Sequence, residues 1–128
     1  MMLLPDTHTV IWLLESPGRI PAKTLAKLSN PSERVLLSAI VTWEIGIKVR
    51  LGKLKLRVKI SEMARVCLED YGFEPLPVSI AHTLLLDKLP DIHRDPFDRL
   101  LIAQALSEKL RIVTGDENIA QYAVSTIW

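Results

Sequence analysis

Short apolar runs alternate with segments of helical periodicity along the chain. Five runs have strand length and are nearly continuous in apolar residues: "MMLL", "RVLLSAIV", "FEPLPVS", "RIVTG" and "AVSTIW". Between them, apolar residues recur at helical spacing, which predicts helices at about 8–15, 22–29, 41–50, 61–70, 79–87 and 96–109. Apolar strands separated by helices are typical of a parallel sheet that is covered on both faces. The pattern therefore predicts an α/β protein with a central, mainly parallel sheet.

The prolines support these boundaries. Most of them fall at the edges of predicted elements, as Pro17, Pro21 and Pro96 do. Pro5 lacks the N–H group that a central strand would donate, so the first strand has to end there, immediately before Asp6. There is no internal repeat and no linker, and 128 residues of which 48% are hydrophobic can bury one core. We therefore expect a single domain over residues 1–128.

Charge and cysteine content narrow the class of protein without naming a partner. The formal net charge is +1, so affinity for nucleic acid would have to come from local basic clusters. The lone Cys67 excludes a disulfide framework within the chain, and we expect a buried thiol. No apolar run reaches the roughly 20 residues of a membrane helix, and the N-terminal segment lacks secretory features. We therefore expect a soluble, cytoplasmic protein with no membrane contact.

Four acidic residues stand close to the ends of predicted strands. Asp6 follows "MMLLP", Asp116 follows "RIVTG", and Glu44 lies in the first turn of the helix after "RVLLSAIV". The carboxyl ends of parallel strands joined by right-handed crossovers meet at one edge of the sheet. The fourth acid, Asp98, opens the helix "DPFDRLLIAQALSEKL", which the long loop "DKLPDIHRDP" allows to reach the same edge. We expect the four side chains to converge.

Each acid also has a purely structural interpretation. Asp95, Pro96 and Asp98 form a helix-start signature of N-cap, N1 proline and N3 acid. Asp6 and Asp116 are equally suited to capping the helices that follow them, and Glu44 could be an ordinary first-turn acid. Together, however, four converging carboxylates repel one another, and a bound cation relieves that repulsion. Oxygen ligands without His or Cys favour Mg²⁺ or Mn²⁺, ions that typically serve phosphoryl transfer or phosphodiester hydrolysis.

The segments around these acids carry a resemblance to a known family. In order along nearly the whole chain they are "LLPDTHTVIWLL", "SAIVTWEIGIKVRLGKLKL", "HRDPFDRLLIAQA" and "IVTGDENI". Together they resemble the PIN domain, and within it the ribonuclease toxins of VapBC-type toxin–antitoxin modules. The resemblance implies a three-layer α/β/α sandwich, a metal-dependent endoribonuclease using Mg²⁺ or Mn²⁺, and an acidic quartet at Asp6, Glu44, Asp98 and Asp116.

The same resemblance suggests roles for these residues. Asp6, Asp98 and Asp116 would bind the metal, while Glu44 would either complete the ligand set or orient the attacking water. In-line attack of that water on the phosphate would leave a 5′-phosphate and a 3′-hydroxyl.

The resemblance also draws attention to three residues next to these acids. Thr114 could hydrogen-bond a ligand carboxylate or a water, and Asp95 is a reserve candidate. Gly115 stands where relatives often have a larger or basic residue, which leaves substrate contacts at that position open.

The resemblance also implies partners. We expect RNA as substrate, a homodimer, and a small VapB-like antitoxin whose basic or aromatic segment blocks the acidic groove. The other end of the antitoxin would bind operator DNA, so this chain would contact DNA only indirectly.

A basic stretch follows the helix that carries Glu44. Its cations are Lys48, Arg50, Lys53, Lys55, Arg57 and Lys59. Lys48, Arg50, Lys53 and Lys55 could bind RNA phosphates, or the stretch could be a solvated face of an edge segment.

We expect mainly structural roles for the tryptophans and histidines. Trp12, Trp43 and Trp128 are expected in the core or at a dimer contact, with stacking on an RNA base as the alternative. His8 could touch substrate or serve as a helix-start polar residue. His82 and His93 are expected to be scattered and to form no ligand pair.

Three other protein classes share parts of the pattern. A haloacid-dehalogenase-like phosphatase has an Asp-x-Asp-x-Thr motif that "DTHT" resembles, but His8 stands where the second Asp should be. A phosphoacceptor receiver domain needs an acidic pair after the first strand and a Lys near the last one, which this chain lacks. A catalytically inactive binding module would keep the acids only as helix caps.

Overall fold

The computed structural model describes residues 1–128 and contains five short strands that are all parallel. They are β1 (Leu3–Pro5), β2 (Leu36–Ser38), β3 (Glu74–Leu76), β4 (Arg111–Val113) and β5 (Thr126–Ile127). Strand β1 pairs with β4, β4 with β5, and β2 with β3. A parallel bridge between Leu3 and Val35 joins the two groups, which gives the order β3-β2-β1-β4-β5.

Seven α-helices connect and cover the strands. They are α1 (Thr7–Glu15), α2 (Ala22–Ser29), α3 (Ala39–Arg50), α4 (Ile60–Arg65), α5 (Ile80–Leu85), α6 (Pro96–Glu108) and α7 (Glu117–Ala120). A π-helical segment, Val66–Asp70, continues α4. Several helices begin at a side chain that accepts a backbone N–H, because Asp and Ser satisfy the free amides of a first turn. These N-caps are Asp6, Ser38, Ser79, Asp95 and Asp116.

The predicted fold class, an α/β protein with a parallel sheet between helices, is confirmed. All five predicted strands form, but each is shorter than its apolar run. The run "RVLLSAIV" divides at Ser38, whose Oγ accepts the N–H of Ile40, so α3 begins at Ala39. Glu44 therefore lies in the second turn of α3 and not in the first. Pro5 is the last residue of β1, as predicted.

The core forms where the central strands meet the helices. Leu4 of β1 and Ile112 of β4 are fully buried, and Val41 and Ile102 are equally buried on α3 and α6. Burying a side chain of this kind contributes about 1.5–3 kcal/mol, so these contacts hold the sheet edge in place. Cys67 is buried in the same core, and that burial raises the pKa of its thiol to about 11. None of the helices is both long and apolar enough to cross a membrane.

Candidate functional site

Asp6 leaves β1 at the edge of the sheet and is held by three donors. Its Oδ1 accepts the N–H of Thr9 at 2.9 Å and the hydroxyl of Thr9 at 2.6 Å, and its Oδ2 accepts the Thr114 hydroxyl at 2.5 Å. The residue is only 4% exposed. Asp6 is thus both the N-cap of α1 and a fixed carboxylate at the end of β1.

Thr114 connects the acids that follow the two central strands. While its hydroxyl donates to Asp6, the same oxygen accepts the N–H of Asp116 at 2.9 Å. Asp116 Oδ1 in turn caps α7 by accepting the N–H of Asn118 at 2.8 Å. Only Oδ2 of Asp116 then remains without a helix-capping partner, and it faces the loop before α6.

Glu44 is almost completely buried, with 2% of its surface exposed, and both of its oxygens are partnered. Oε1 accepts the Thr7 hydroxyl at 2.5 Å, and Oε2 lies 2.5 Å from Nζ of Lys48, one turn further along α3. Burial alone would lower the pKa of Lys48, but the hydrogen bond and charge of Glu44 outweigh it, and the pKa is raised. Lys48 is therefore an ammonium held by a buried acid, and a phosphate contact would have to compete with that pair.

Asp98 lies beside the N-cap of α6. Asp95 Oδ1 accepts the N–H groups of Phe97 and Asp98 at 2.8 and 3.3 Å, so Asp95 caps the helix. Burial raises the pKa of Asp98 to about 7, and the negative charges of Asp95 and Glu44, with a smaller effect of Asp6, act in the same direction. His93 acts in the opposite direction but does not outweigh these effects, so the ionised form of Asp98 is disfavoured near neutral pH.

His93 meets the acids, and the expectation that it is scattered is wrong. Its Nε2 lies 2.8 Å from Asp98 Oδ2 and 3.5 Å from Asp116 Oδ2. The loop that carries it is held by Tyr122, whose hydroxyl accepts the N–H of His93 at 2.8 Å and a hydrogen bond from Arg99 at 3.1 Å. The sequence feature that could have predicted this contact is the position of His93 in "HRDPFD", just before α6. His82, by contrast, takes part in the capping box of α5.

These residues fit a divalent cation. One ligand atom from each of His93, Asp98 and Asp116 lies within 4.8 Å of the others. Adjacent ligands of an octahedral ion at about 2.1 Å are separated by roughly 3 Å, close to the contacts that Nε2 makes. That Nε2 is buried and has no hydrogen-bond partner, although a carboxylate oxygen lies beside it. An imidazole nitrogen among carboxylates shifts the expected preference from Mg²⁺ towards Mn²⁺ and later transition metals.

The four predicted acids lie near one edge of the sheet, but only Asp98 and Asp116 belong, with His93, to the group that could hold a metal ion. Thr114 joins Asp6 to Asp116, and the side chain of Asp98 approaches that of Asp116 across His93. Glu44 is near enough for its charge to raise the pKa of Asp98. Capping does not exclude clustering, because Asp116 caps α7 with Oδ1 and faces His93 with Oδ2, whereas the second oxygen of Asp6 accepts the Thr114 hydroxyl.

The basic stretch has no regular secondary structure between residues 51 and 59. Lys53 and Lys55 line a cavity of about 400 Å³ together with Lys48, Arg19 and Trp12, which brings the cations close to α1. Arg50 is exposed at the end of α3 and does not line this cavity.

Two of the three tryptophans lie outside the core, which was one of the two locations expected for them. Trp43 is 58% exposed and Trp128 is 40% exposed, whereas Trp12 is partly buried against the core. Trp43 packs edge-on against Phe97, with ring centroids 5.0 Å apart. Trp12 and Trp128 contact each other beside Asp116.

Comparisons with solved structures show that the fold is shared with known proteins. The chain superimposes on VapBC2 of Rickettsia felis, in a structure bound to a promoter DNA fragment, with a TM-score of 0.75 and 16% identity over 99% of this chain and 98% of that one. FitAcB of Neisseria gonorrhoeae gives 0.68 and 21% over 99% and 97%. VapBC-1 of nontypeable Haemophilus influenzae gives 0.66 and 19% over 99% and 97%. At these identities the likeness concerns the fold.

The two sequence comparisons give different results. Among curated proteins, no sequence matches the chain significantly. The sequence profile of the PIN domain, however, matches residues 3–125, and the resemblance seen in the sequence is thereby confirmed. Since that match covers nearly the whole chain, the protein belongs to the PIN-domain family.

Proposed function

We propose that this protein is a metal-dependent endoribonuclease and the toxin of a type II toxin–antitoxin module. The observation that carries the proposal is the convergence of Asp98, Asp116 and His93 within 4.8 Å, next to the buried acids Asp6 and Glu44, in a PIN fold. Structural neighbours that are VapBC and FitAB proteins support the same assignment.

Each residue of the site has a separate role in this proposal. A bound Mg²⁺ or Mn²⁺ supplies a more nucleophilic water and stabilises charge on the departing oxygen. Asp98, Asp116 and His93 would hold the ion, and Asp6 presents a carboxylate whose orientation three hydrogen bonds fix. Both oxygens of Glu44 already have donors, which favours the water-orienting role over direct ligation. Thr114 positions Asp6 and Asp116 relative to each other.

Cations beside the acidic edge support RNA as the substrate. Arg19, Lys53 and Lys55 line a cavity next to α1 and can neutralise backbone phosphates on either side of the cleaved bond. Phosphate contacts of this kind position a strand without reading its sequence. The same cations prevent the acidic cluster from repelling the polyanion.

Exposed apolar side chains support the proposed homodimer and antitoxin contacts. Ile80 and Leu84 lie one turn apart on α5, and both are largely exposed, with Val78 beside them. Leu51 and Val58, in the basic stretch, are also exposed. Grouped apolar side chains on a surface mark interaction sites, so these two groups are candidate contact surfaces for a second copy of the chain and for the antitoxin.

The test is cleavage of single-stranded RNA with Mg²⁺ or Mn²⁺ by the wild-type protein and by Asp98→Asn. Asparagine keeps the size of the side chain and removes the charge that holds the ion, so cleavage should fall at least 100-fold while the protein stays folded. The matched control is Asp87→Asn, an exposed acid outside the cluster, which should cleave like the wild type.

Two results would contradict the proposal. One is RNA cleavage that persists in Asp98→Asn or in EDTA. The other is hydrolysis of a small phosphomonoester with no action on RNA, which would favour the haloacid-dehalogenase-like alternative.

A further inference from the structure

An aromatic cavity opens directly beside the acidic edge. It has a volume of about 540 Å³ and is lined by Asp6, His8, Trp12, Arg19, Gly115, Asp116 and Trp128. Cavities of about 300–1,000 Å³ are the usual size of small-molecule sites in proteins. Two of its walls are therefore carboxylates of the acidic quartet, and most of the others are flat, π-electron side chains.

The rings form a connected platform with a cation on it. Trp12 and Trp128 have centroids 5.8 Å apart at an interplanar angle of 54°, and His8 lies 5.6 Å from Trp12 at 42°. The guanidinium carbon of Arg19 is 4.4 Å from the centroid of Trp12, a cation–π contact. Because Trp128 and Arg19 are substantially exposed, faces of this platform remain open to a ligand.

Gly115 explains how Trp128 reaches this position. A Cβ atom at residue 115 would lie 2.8 Å from Cε2 of Trp128 and 3.0 Å from its Nε1. Such distances are shorter than van der Waals contact, so only glycine lets the indole lie against the backbone between Thr114 and Asp116. The sequence left open which group makes substrate contacts at residue 115. In the structure, the indole of Trp128, which follows β5, fills the space that a side chain at residue 115 would occupy.

We propose that this cavity binds one base of single-stranded RNA, immediately next to the phosphodiester that the acids act on. This proposal rests on the proposed function and adds a substrate contact to it. A base stacks against the exposed indole of Trp128, and Arg19, held over Trp12, contacts the adjoining phosphate. Stacking requires only a π face, so the cavity accepts any of the four bases with modest preference.

The charges in the cavity favour a nucleotide over an apolar protein segment. An apolar side chain entering it would desolvate the carboxylates of Asp6 and Asp116 and the guanidinium of Arg19 without replacing their hydrogen bonds. A nucleotide brings a phosphate to Arg19 and presents the base to the rings. The position beside Asp116 also places that phosphate on the side where His93 and Asp98 converge.

The experiment measures affinity for a labelled single-stranded RNA by fluorescence anisotropy. It uses Asp98→Asn as the reference protein, so that the strand is not cut. Adding Trp128→Ala should weaken binding about 5- to 150-fold, the range for the loss of one base–aromatic stack. Trp128→Phe should retain most of the affinity. Gly115→Ala should weaken binding like Trp128→Ala, although it removes no aromatic group, because the new methyl displaces the indole.

Trp43→Phe is the matched control, since Trp43 is exposed but does not line the cavity. It should bind RNA like the reference. Thermal midpoints of all variants verify that they remain folded. In the catalytically intact background, Trp128→Ala and Gly115→Ala should change KM more than kcat.

The outcomes separate this proposal from the proposed function. Unchanged RNA affinity in both Trp128→Ala and Gly115→Ala, or no RNA binding by the reference protein, overturns the base site and leaves the cavity to a protein partner. Trp128-dependent RNA binding in a chain that never cleaves RNA would instead support the base site and refute the nuclease.

Discussion

The charge of Asp98 should destabilise the metal-free protein, and Asp98→Asn should therefore stabilise it. The carboxyl group is buried, and burial together with Asp95 and Glu44 raises its pKa to about 7, from an ordinary value of 3.8. The amide of asparagine has nearly the same shape and no charge. The variant that abolishes the proposed activity is thus expected to be the more stable protein when no metal is present.

The size of the effect follows from the two pKa values. At 1.36 kcal/mol for each pKa unit, the difference between about 7 and 3.8 corresponds to about 4 kcal/mol. Because the folded-state pKa is the higher one, the folded protein keeps a proton that the unfolded chain has already lost between these values. Wild-type stability therefore falls as pH rises from about 4 to about 7. Below that window the two proteins should be equally stable, and above it the variant should be ahead by about 4 kcal/mol.

Urea denaturation in EDTA at pH 4, 6 and 8, followed by circular dichroism, measures this difference. Asp87→Asn should follow the wild type at each pH. Adding Mn²⁺ at pH 8 should narrow the gap, since a ligand at 100 times its Kd stabilises the wild type by about 2.7 kcal/mol and the variant by less. Equal stabilities of wild type and Asp98→Asn at pH 8 in EDTA, or a gap that stays constant down to pH 4, would refute the electrostatic reasoning.

Three other predictions concern neighbouring residues. His93→Gln should remove the ¹⁴N coupling that spin-echo EPR detects on bound Mn²⁺, while His82→Gln should keep it; a coupling that survives in His93→Gln would exclude the imidazole as a ligand. Lys48→Met should destabilise the metal-free protein by about 2–4 kcal/mol in urea denaturation, because the buried Glu44 loses its cation; unchanged stability would mean that this pair contributes nothing. Lys53→Ala should weaken RNA binding and reduce the slope of log affinity against log salt by about 0.7; an unaltered slope would show that this lysine touches no phosphate.

Local signals were sufficient to predict the order of elements and the gathering of the acids. Apolar runs identified the five strands, and caps such as Asp6 and Asp95 marked helix starts, because both depend on residues a few positions apart. Once the strands are parallel, their carboxyl ends have to share an edge, so the meeting of Asp6 with Asp116 follows from topology. The division of "RVLLSAIV" at Ser38 was missed because an apolar run alone does not distinguish a strand from a buried helix.

Only the tertiary structure decided which side chains complete the site. His93 joins the acids because Tyr122, 29 residues away, holds its loop. Thr114 bonds to Asp6 across 108 residues, and Trp128, which follows β5, lies against Gly115. A sequence pattern reports the periodicity and hydrogen bonding of neighbours along the chain. Contacts between distant segments depend on how loops and strand ends pack in three dimensions, and that packing determines the imidazole, the hydroxyl and the indole of this site.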